Sequence, residues 1–341
     1  MKAEKAQWLA KTVETAIDPS QPIVDAHHHL WDRSGSKYLF DDLQADAAAG
    51  HRVVATVFVE CLSRYDEQQP AHLKPVGETA FVAEQAAASR QTGGAVVMAI
   101  VPFADLTLGA ALEEVLDAHE AAGQGLFRGV RHPTSNDQEL GDGHIPTPPG
   151  LMNTAEFRQG VAALGRRGLS LDAWMFHHQL DELVALARDH PDVTIVLNHI
   201  GGPLGVRRFA NRRTEVRAAW QEPMKLIARC PNVVLKVGGI GMNRYYGGGW
   251  PELPAAPGSA ELFAYWGDDL KWCIDLFGPN RCLFESNFPV DRESCSYTVL
   301  WNVYQRVAQN YSPDERDQLF YETAVRIYKL DLPASAHALR S

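Results

Sequence analysis

The chain has 341 residues, 45% apolar and 9% aromatic, enough to bury either two ordinary domains or one large α/β barrel. A formal net charge of −10 and a pI near 5.7 exclude a general binder of nucleic acid or of anionic membranes, because both surfaces reward clustered lysine and arginine. Cys61, Cys230, Cys273, Cys282 and Cys295 are scattered and form no CxxC pair, which excludes a thiolate zinc site and predicts buried thiols in a reducing compartment.

The N-terminal stretch "MKAEKAQWLAKTVETA" is charged and lacks an apolar core. No run of about 18 apolar residues follows anywhere, so neither export nor membrane spanning is expected and cytoplasm is the default. From residue 22 onward, short β-branched runs alternate with longer segments of helical character, the pattern of a parallel sheet wrapped by helices. Eight runs are expected as strands: 23–29, 53–61, 94–103, 125–133, 169–176, 193–200, 232–240 and 281–289. Helices are expected over 78–91, 108–122, 154–167, 179–189, 214–230, 259–277, 296–310 and 313–330, the last opened by a Ser312 cap, Pro313 at the first helical position and Glu315 three residues after the cap. Eight β/α units predict one (β/α)₈ TIM barrel over residues 22–330, flanked by an N-terminal extension (1–21) and a C-terminal tail (331–341). A doubly wound open sheet is the alternative.

Two long connections, 132–153 after the fourth strand and 241–258 after the seventh, lie on the strand C-terminal side, where barrel enzymes place their chemistry. The second, rich in glycine and aromatics, suits a mobile lid. The first run, "VDAHHHLWD", supplies candidate chemistry: in an extended strand Asp25, His27 and His29 share one face, and His28 looks toward the helical layer. His199 closes the sixth run and His177 and His178 follow the fifth, so imidazoles from three strand ends can converge over the mouth.

In these motifs the chain resembles the amidohydrolase superfamily, in particular its lactonase-like amidohydrolase family 2 branch. The resemblance rests on Asp25-x-His27-x-His29-x-Trp31, on "RGVRH" in the fourth run, on "NHIGGP" in the sixth and on the eighth run ending in Phe288-Pro289, and it spans about residues 22–330. It implies a TIM barrel of the metal-dependent hydrolase type. His27, His29 and His199 then become ligands of one divalent ion, zinc or manganese, with metal-independent catalysis as the other form the family takes.

One departure stands out: Asn287 occupies the position of the family's usual eighth-strand aspartate, and a carboxamide cannot accept a proton at neutral pH. Glu285, two residues earlier, or a histidine is the expected substitute base, with Asn287 orienting water or the substrate carbonyl; Asp291 is a second carboxylate candidate, and the alternative for Glu285 is an ion pair with Lys236 or Arg131. The fourth strand offers arginines and no lysine for a bridged two-metal centre. Arg131, nearer the strand end than Arg128, is expected to bind a substrate carboxylate bidentately, with Trp31, His178 and Tyr245 in the pocket. Arg64, Tyr65 and Tyr246 are further candidates, Glu60 an inward polar partner, and Lys236 a residue of the mouth or of a salt bridge.

The catalytic group is thus expected to be Glu285, Asn287 and His199, opening a lactone or cyclic ester of a carboxylated or sugar-derived small molecule. Decarboxylation of an aromatic acid is the alternative reaction, and a barrel that only binds a small ligand is the third reading. No nucleic-acid or membrane partner is expected; a homo-oligomer is compatible with the sequence.

Overall fold

A computed structural model describes residues 3–91, 94–140, 145 and 147–332. All eight expected runs contain strands: β1 (Pro22–His28), β4 (Arg52–Val59), β5 (Val96–Val101), β6 (Gly129–Arg131), β7 (Ser170–Ala173), β8 (Ile195–Leu197), β9 (Val233–Gly238) and β10 (Cys282–Glu285). Parallel pairing gives two arcs, β1-β4-β5 and β10-β9-β8-β7-β6. Single parallel bridges from Ile100 to Phe127 and from His28 to Phe288 join the arcs into a ring. The fold is therefore the (β/α)₈ barrel and not the open sheet. A two-stranded hairpin, β2 (Trp31–Arg33) with β3 (Ser36–Tyr38), rises after β1 and has no counterpart in the sequence-based expectation.

The outer layer is α2 (Phe40–Ala47), α3 (Val76–Ser89), α4 (Ala111–Gly123), α5 (Ala155–Arg167), α6 (Leu180–Asp189), α7 (Arg213–Ile227), α9 (Ser259–Phe277) and α10 (Tyr297–Ala308). The periodic pattern missed α2, because eight residues with only Phe40, Leu43 and Ala47 buried carry little periodicity. The expected helix over 313–330 divides into α11 (Pro313–Asp317), a π turn (Gln318–Glu322) and α12 (Thr323–Ile327). Its start is as expected, with the Glu315 N–H donating to Ser312 Oγ and the Ser312 N–H to Glu315 Oε2. In the N-terminal extension, α1 (Ala3–Ala10) packs on the loop after β9, which itself holds the short α8 (Asn243–Tyr246). Residues 141–144 and 146 of the first long connection, and the tail from 333, lie outside the described residues. The five cysteines are free and buried, and no described helix is long and apolar enough to cross a membrane.

Strands buried on both faces should read as unbroken apolar runs, yet the ring interior holds charges. Lys236, fully buried in β9, donates to Asp172 Oδ1 on β7 at 3.1 Å, and the Tyr328 hydroxyl donates to the same carboxylate at 2.8 and 2.9 Å. Each buried charge is compensated by its partner, which is the condition for keeping it there. Asp25 does the equivalent for closure: it accepts from the Ser286 N–H (2.8 Å), the Ser286 hydroxyl (2.6 Å) and the Tyr297 hydroxyl (3.0 Å), tying β1 to the chain just past β10.

Burial raises the Asp25 carboxyl from 3.8 to about 6, against the lowering pull of the Ser286 bonds. Between about pH 4 and 6 the folded chain keeps a proton that the unfolded chain has released, so this contribution to stability is full below pH 4 and is lost as pH rises through 6. The unfolding free energy of the wild type minus that of Asp25→Asn should therefore fall by on the order of 1–3 kcal/mol between about pH 4 and pH 7. Urea titrations of both proteins at both pH values check this; a difference independent of pH would mean that Asp25 titrates as a solvated carboxyl.

Candidate active site

The strand C-terminal ends open into a cavity of about 480 Å³. His29, Arg131, Trp174, His199 and Asn287 line it from the barrel, Trp31 from the hairpin and Tyr245 from α8. Two of these residues sit where the chain leaves its strand in the left-handed region, His199 at φ 53° after β8 and Asn287 at φ 54° after β10. Such backbone costs on the order of 1–3 kcal/mol per residue and persists only where the surroundings fix it. Here they do. A Cβ on Gly202 would lie 2.2 Å from the Met175 carbonyl oxygen, and one on Gly239 would lie 2.4 Å from His199 Nδ1, so glycine at both positions lets the turn close around His199. The Tyr246 hydroxyl then holds the His199 carbonyl at 2.9 Å.

Glu285 ends β10 with no exposure and does not line the cavity. Its Oε1 accepts from the His199 backbone N–H at 3.1 Å and from His199 Nδ1 at 2.7 Å. With Nδ1–H committed to a carboxylate, His199 Nε2 carries the lone pair. Burial lowers the His199 pKa and Glu285 raises it, leaving a neutral imidazole at pH 7. The expectation that Glu285 itself meets water does not match this placement: the strand ends at Glu285, so the period-two rule stops there and Asn287 alone turns to the cavity.

His27 lies beneath His199, ring centroids 4.7 Å apart. Its Nε2 faces Arg131 Nη1 at 3.2 Å, and its Nδ1 faces both Lys236 Nζ at 3.2 Å and Glu285 Oε2 at 2.9 Å. Burial and the neighbouring cations hold its pKa well below 6.5, so the ring is neutral with one lone pair for two cationic neighbours. Nε2 accepts from Arg131, and Glu285 Oε2, otherwise without a hydrogen bond, is the group able to take the Nδ1 proton. Arg131 is fixed from the other side by Glu60, through Nε to Oε1 (2.8 Å) and Nη2 to the backbone oxygen (2.7 Å). Of its five N–H donors, these contacts and His27 use three. Glu60 is thus the inward partner expected of it, and Lys236 is the salt-bridge residue.

His29 turns away from His27. Its Nδ1 donates to the Val59 carbonyl at 2.8 Å and its Nε2 lies 3.1 Å from the Asn287 side-chain amide, whose other end is 2.7 Å from Asp291 Oδ1. Burial keeps His29 neutral and pushes Asp291 well above the usual carboxyl range. The amide donates from Nδ2 to Asp291 Oδ1, and its Oδ1 faces His29 Nε2. Asp291 also accepts from the Gly241 N–H at 2.8 Å and does not reach the cavity.

Among the described residues one group has the donors and spread for a metal ion: His27, His199 and Glu285, all buried, with ligand atoms within 4.8 Å of one another. Two histidines and a glutamate are a donor set suited to zinc, and the set fits in kind once His27 and His199 release the Nδ1 protons they share with Glu285. It is not the His27, His29 and His199 set that the first-strand motif implies, because His29 is held by Val59 and Asn287.

Trp31 and Tyr245 line the cavity as expected, and Arg131 rather than Arg128 reaches it. His178 does not: its Nε2 bonds the Asn136 carbonyl at 3.1 Å and its ring stacks on Phe209. His177 accepts from the Leu204 N–H, Arg64 pairs with Asp32, and Tyr65 and Tyr246 stand outside the lining. His28 is buried against Phe58 on the helical side. Sequence reasoning missed Trp174, whose ring meets His199 edge-on at 4.8 Å, although its place one residue past β7 is a strand-end signal. It also missed five cations at the rim, Lys5, Arg33, Lys37, Arg244 and Arg292, which come from segments far apart in sequence.

A barrel with a carboxylate-backed histidine and an arginine at its C-terminal mouth is a hydrolase architecture. The chain belongs to the amidohydrolase family, whose model, described as amidohydrolase, matches residues 24–330, and it is an enzyme of that type. It is 30% identical over 323 residues to an uncharacterized protein of Sinorhizobium fredii, covering 90% of this chain and 98% of that one. It is 27% identical to an L-fucono-1,5-lactonase of Burkholderia multivorans, covering 92% and 98% of the two chains. An amidohydrolase from Burkholderia multivorans crystallised with bound zinc superposes with a TM-score of 0.70 at 26% identity, over 90% of this chain and 99% of the other.

Asn287→Asp should set a second carboxyl beside buried Asp291, where the two share a site and cannot both ionise. The variant is expected to lose about 1–3 kcal/mol more stability at pH 8 than at pH 5 relative to the wild type, measured by urea unfolding. Equal losses at both pH values would show that the two carboxyls do not share a site.

Proposed function

We propose that the protein opens a lactone or related cyclic ester by attack of water at the barrel mouth. The observation that carries this reading is the Glu285–His199 pair: a buried carboxylate fixes one imidazole nitrogen at 2.7 Å while the ring lines the cavity. Relatives named L-fucono-1,5-lactonase, at 27% and 25% identity, support the reaction class.

His199 Nε2 takes a proton from water as the water attacks the carbonyl carbon, and Glu285 stabilises the imidazolium that forms. The remaining Arg131 N–H donors receive the developing oxyanion; Glu60 and His27 hold the guanidinium rigid, so little reorganisation is needed at that moment. The imidazolium then protonates the leaving ring oxygen, and the hydroxy acid departs. Trp31, Trp174 and Tyr245 flank the cavity and exclude water from the ring faces. A divalent ion would be held by His27, His199 and Glu285, and when bound it would polarise the carbonyl and acidify water.

The expected outcome is ring opening of lactones in a pH-indicator screen, with kcat reduced about 10²–10⁴-fold by His199→Ala and by Glu285→Gln. Full activity of Glu285→Gln would remove the pair as the proton acceptor, and release of carbon dioxide without ring opening would replace hydrolysis by decarboxylation. Metal analysis of protein purified without added ions, followed by assay after chelation, decides which form acts: stoichiometric metal and loss of activity on chelation favour the loaded site.

A further inference from the structure

The N-terminal extension is built into the cavity mouth. Residues 8–12 run alongside 253–256 of the loop after β9: Trp8 Nε1 donates to the Leu253 carbonyl (2.8 Å), Lys11 Nζ to Pro254 (2.8 Å), Thr12 Oγ1 to Ala256 (2.5 Å), and the Ala256 N–H to Trp8 (3.4 Å). Farther along, Glu14 accepts from the Ser259 N–H at 2.7 Å and from Asn302 Nδ2 at 2.8 Å, and the Ile17 N–H donates to Asn302 Oδ1 at 3.0 Å. These contacts reach the start of α9 and the middle of α10, so the arm is anchored at both of its ends. One turn before this latch, half-buried Lys5 lines the catalytic cavity.

Lys5 meets a carbonyl there, not a carboxylate: Nζ donates to the Glu293 backbone oxygen at 2.6 Å and sits 3.6 Å over the Trp8 ring. The Glu293 carboxylate, the single acidic side chain among the described residues lining the cavity, is engaged by the Arg244 guanidinium. Against it stand Lys5, Arg33, Lys37, Arg131, Arg244 and Arg292, although the chain as a whole carries −10; Arg131 is paired with Glu60, Arg292 with Asp46 and Lys37 with Asp32 at 4.0 Å. Arg33 donates to the Cys61 carbonyl and stacks over Trp31, so it too meets a neutral acceptor. The positive charge that Lys5 and Arg33 bring to the concave mouth on neutral acceptors draws small anions.

We propose that Lys5, placed by the latched N-terminal arm, is a specificity-determining residue that anchors a carboxylate of the substrate, and that the substrate class is accordingly an anionic lactone bearing one or more carboxylates. This rests on the reading of the cavity as the hydrolytic site. The ring ester lies over His199 and Arg131 at the floor, and a carboxylate on the ring reaches the rim, where the Lys5 ammonium trades its carbonyl contact for a charge-assisted one. The arm then supplies a cation that, unlike the neighbouring Arg244, is not engaged by the Glu293 carboxylate.

The test measures binding of tricarballylate, a trianion with no ring or ester, to the full chain by titration calorimetry, in the wild type, Lys5→Met and Lys5→Arg. Methionine keeps an apolar stem against Trp8 and removes the charge; arginine keeps the charge. The expected result is saturable binding to the wild type that weakens with added salt, about tenfold weaker binding to Lys5→Met, and binding to Lys5→Arg within about threefold of wild type. Wild-type affinity in Lys5→Met, equal losses in both variants, or no binding to the wild type would each overturn the proposal. Because this probe is not hydrolysed, the two readings fail separately. Lys5-dependent binding without turnover of any lactone removes the hydrolase reading and the lactone class with it but leaves Lys5 as the carboxylate anchor, and lactone turnover with Lys5-indifferent binding removes the Lys5 anchor alone.

Discussion

Glu285 is a buried carboxylate without a fixed cation of its own, and the centre of the molecule is arranged around that fact. Left unpaired in the barrel it would cost several kcal/mol, so the surrounding groups satisfy it: His199 gives it a ring N–H and a backbone N–H, and His27 Nδ1 stands 2.9 Å from its other oxygen. That requirement forces His199 into the left-handed region and makes Gly239 and Gly202 necessary beside it. The strain is thereby located where the imidazole must be aimed.

The flanking cations extend the same logic outward. Arg131 and Lys236 approach His27 from opposite sides, and each carries its own acid, Glu60 and Asp172. Alternating charges through the ring let a barrel interior that is otherwise aliphatic hold a polar centre without net excess, provided every member stays in place. A divalent ion at His27, His199 and Glu285 would add positive charge beside two existing cations, which weakens the site relative to one with a second carboxylate. Asn287 removes that carboxylate, and Asp291, engaged by the Asn287 amide and outside the cavity lining, does not restore it.

Much of this was legible in the chain. Eight β-branched runs spaced by helical segments imply the barrel because a parallel sheet needs a crossover between every pair of strands. Period-two spacing separated His28 from His27 and His29, and the nearness of Arg131 to its strand end separated it from Arg128. The rule failed where strands stopped. Glu285 and Asn287 share a face only while the backbone is extended, and a positive φ at Asn287 sends the two side chains apart. His178 was misplaced for a similar reason: a short helical turn over His177–Gln179 begins directly after the fifth strand segment and carries the ring outward to Phe209.

The sequence by itself therefore determined the architecture, the strand ends and the residue types available at the mouth, since these follow from local periodicity and from the order of motifs. Tertiary structure alone decided the pairings: which histidine receives Glu285, that His29 belongs to Val59 and Asn287, and that Lys5 from an apparent extension joins cations drawn from four other segments. The physical reason is that hydrogen bonds and charge contacts act across a few ångströms of space, and residues 86 or 288 positions apart in the chain are neighbours only once the ring has closed.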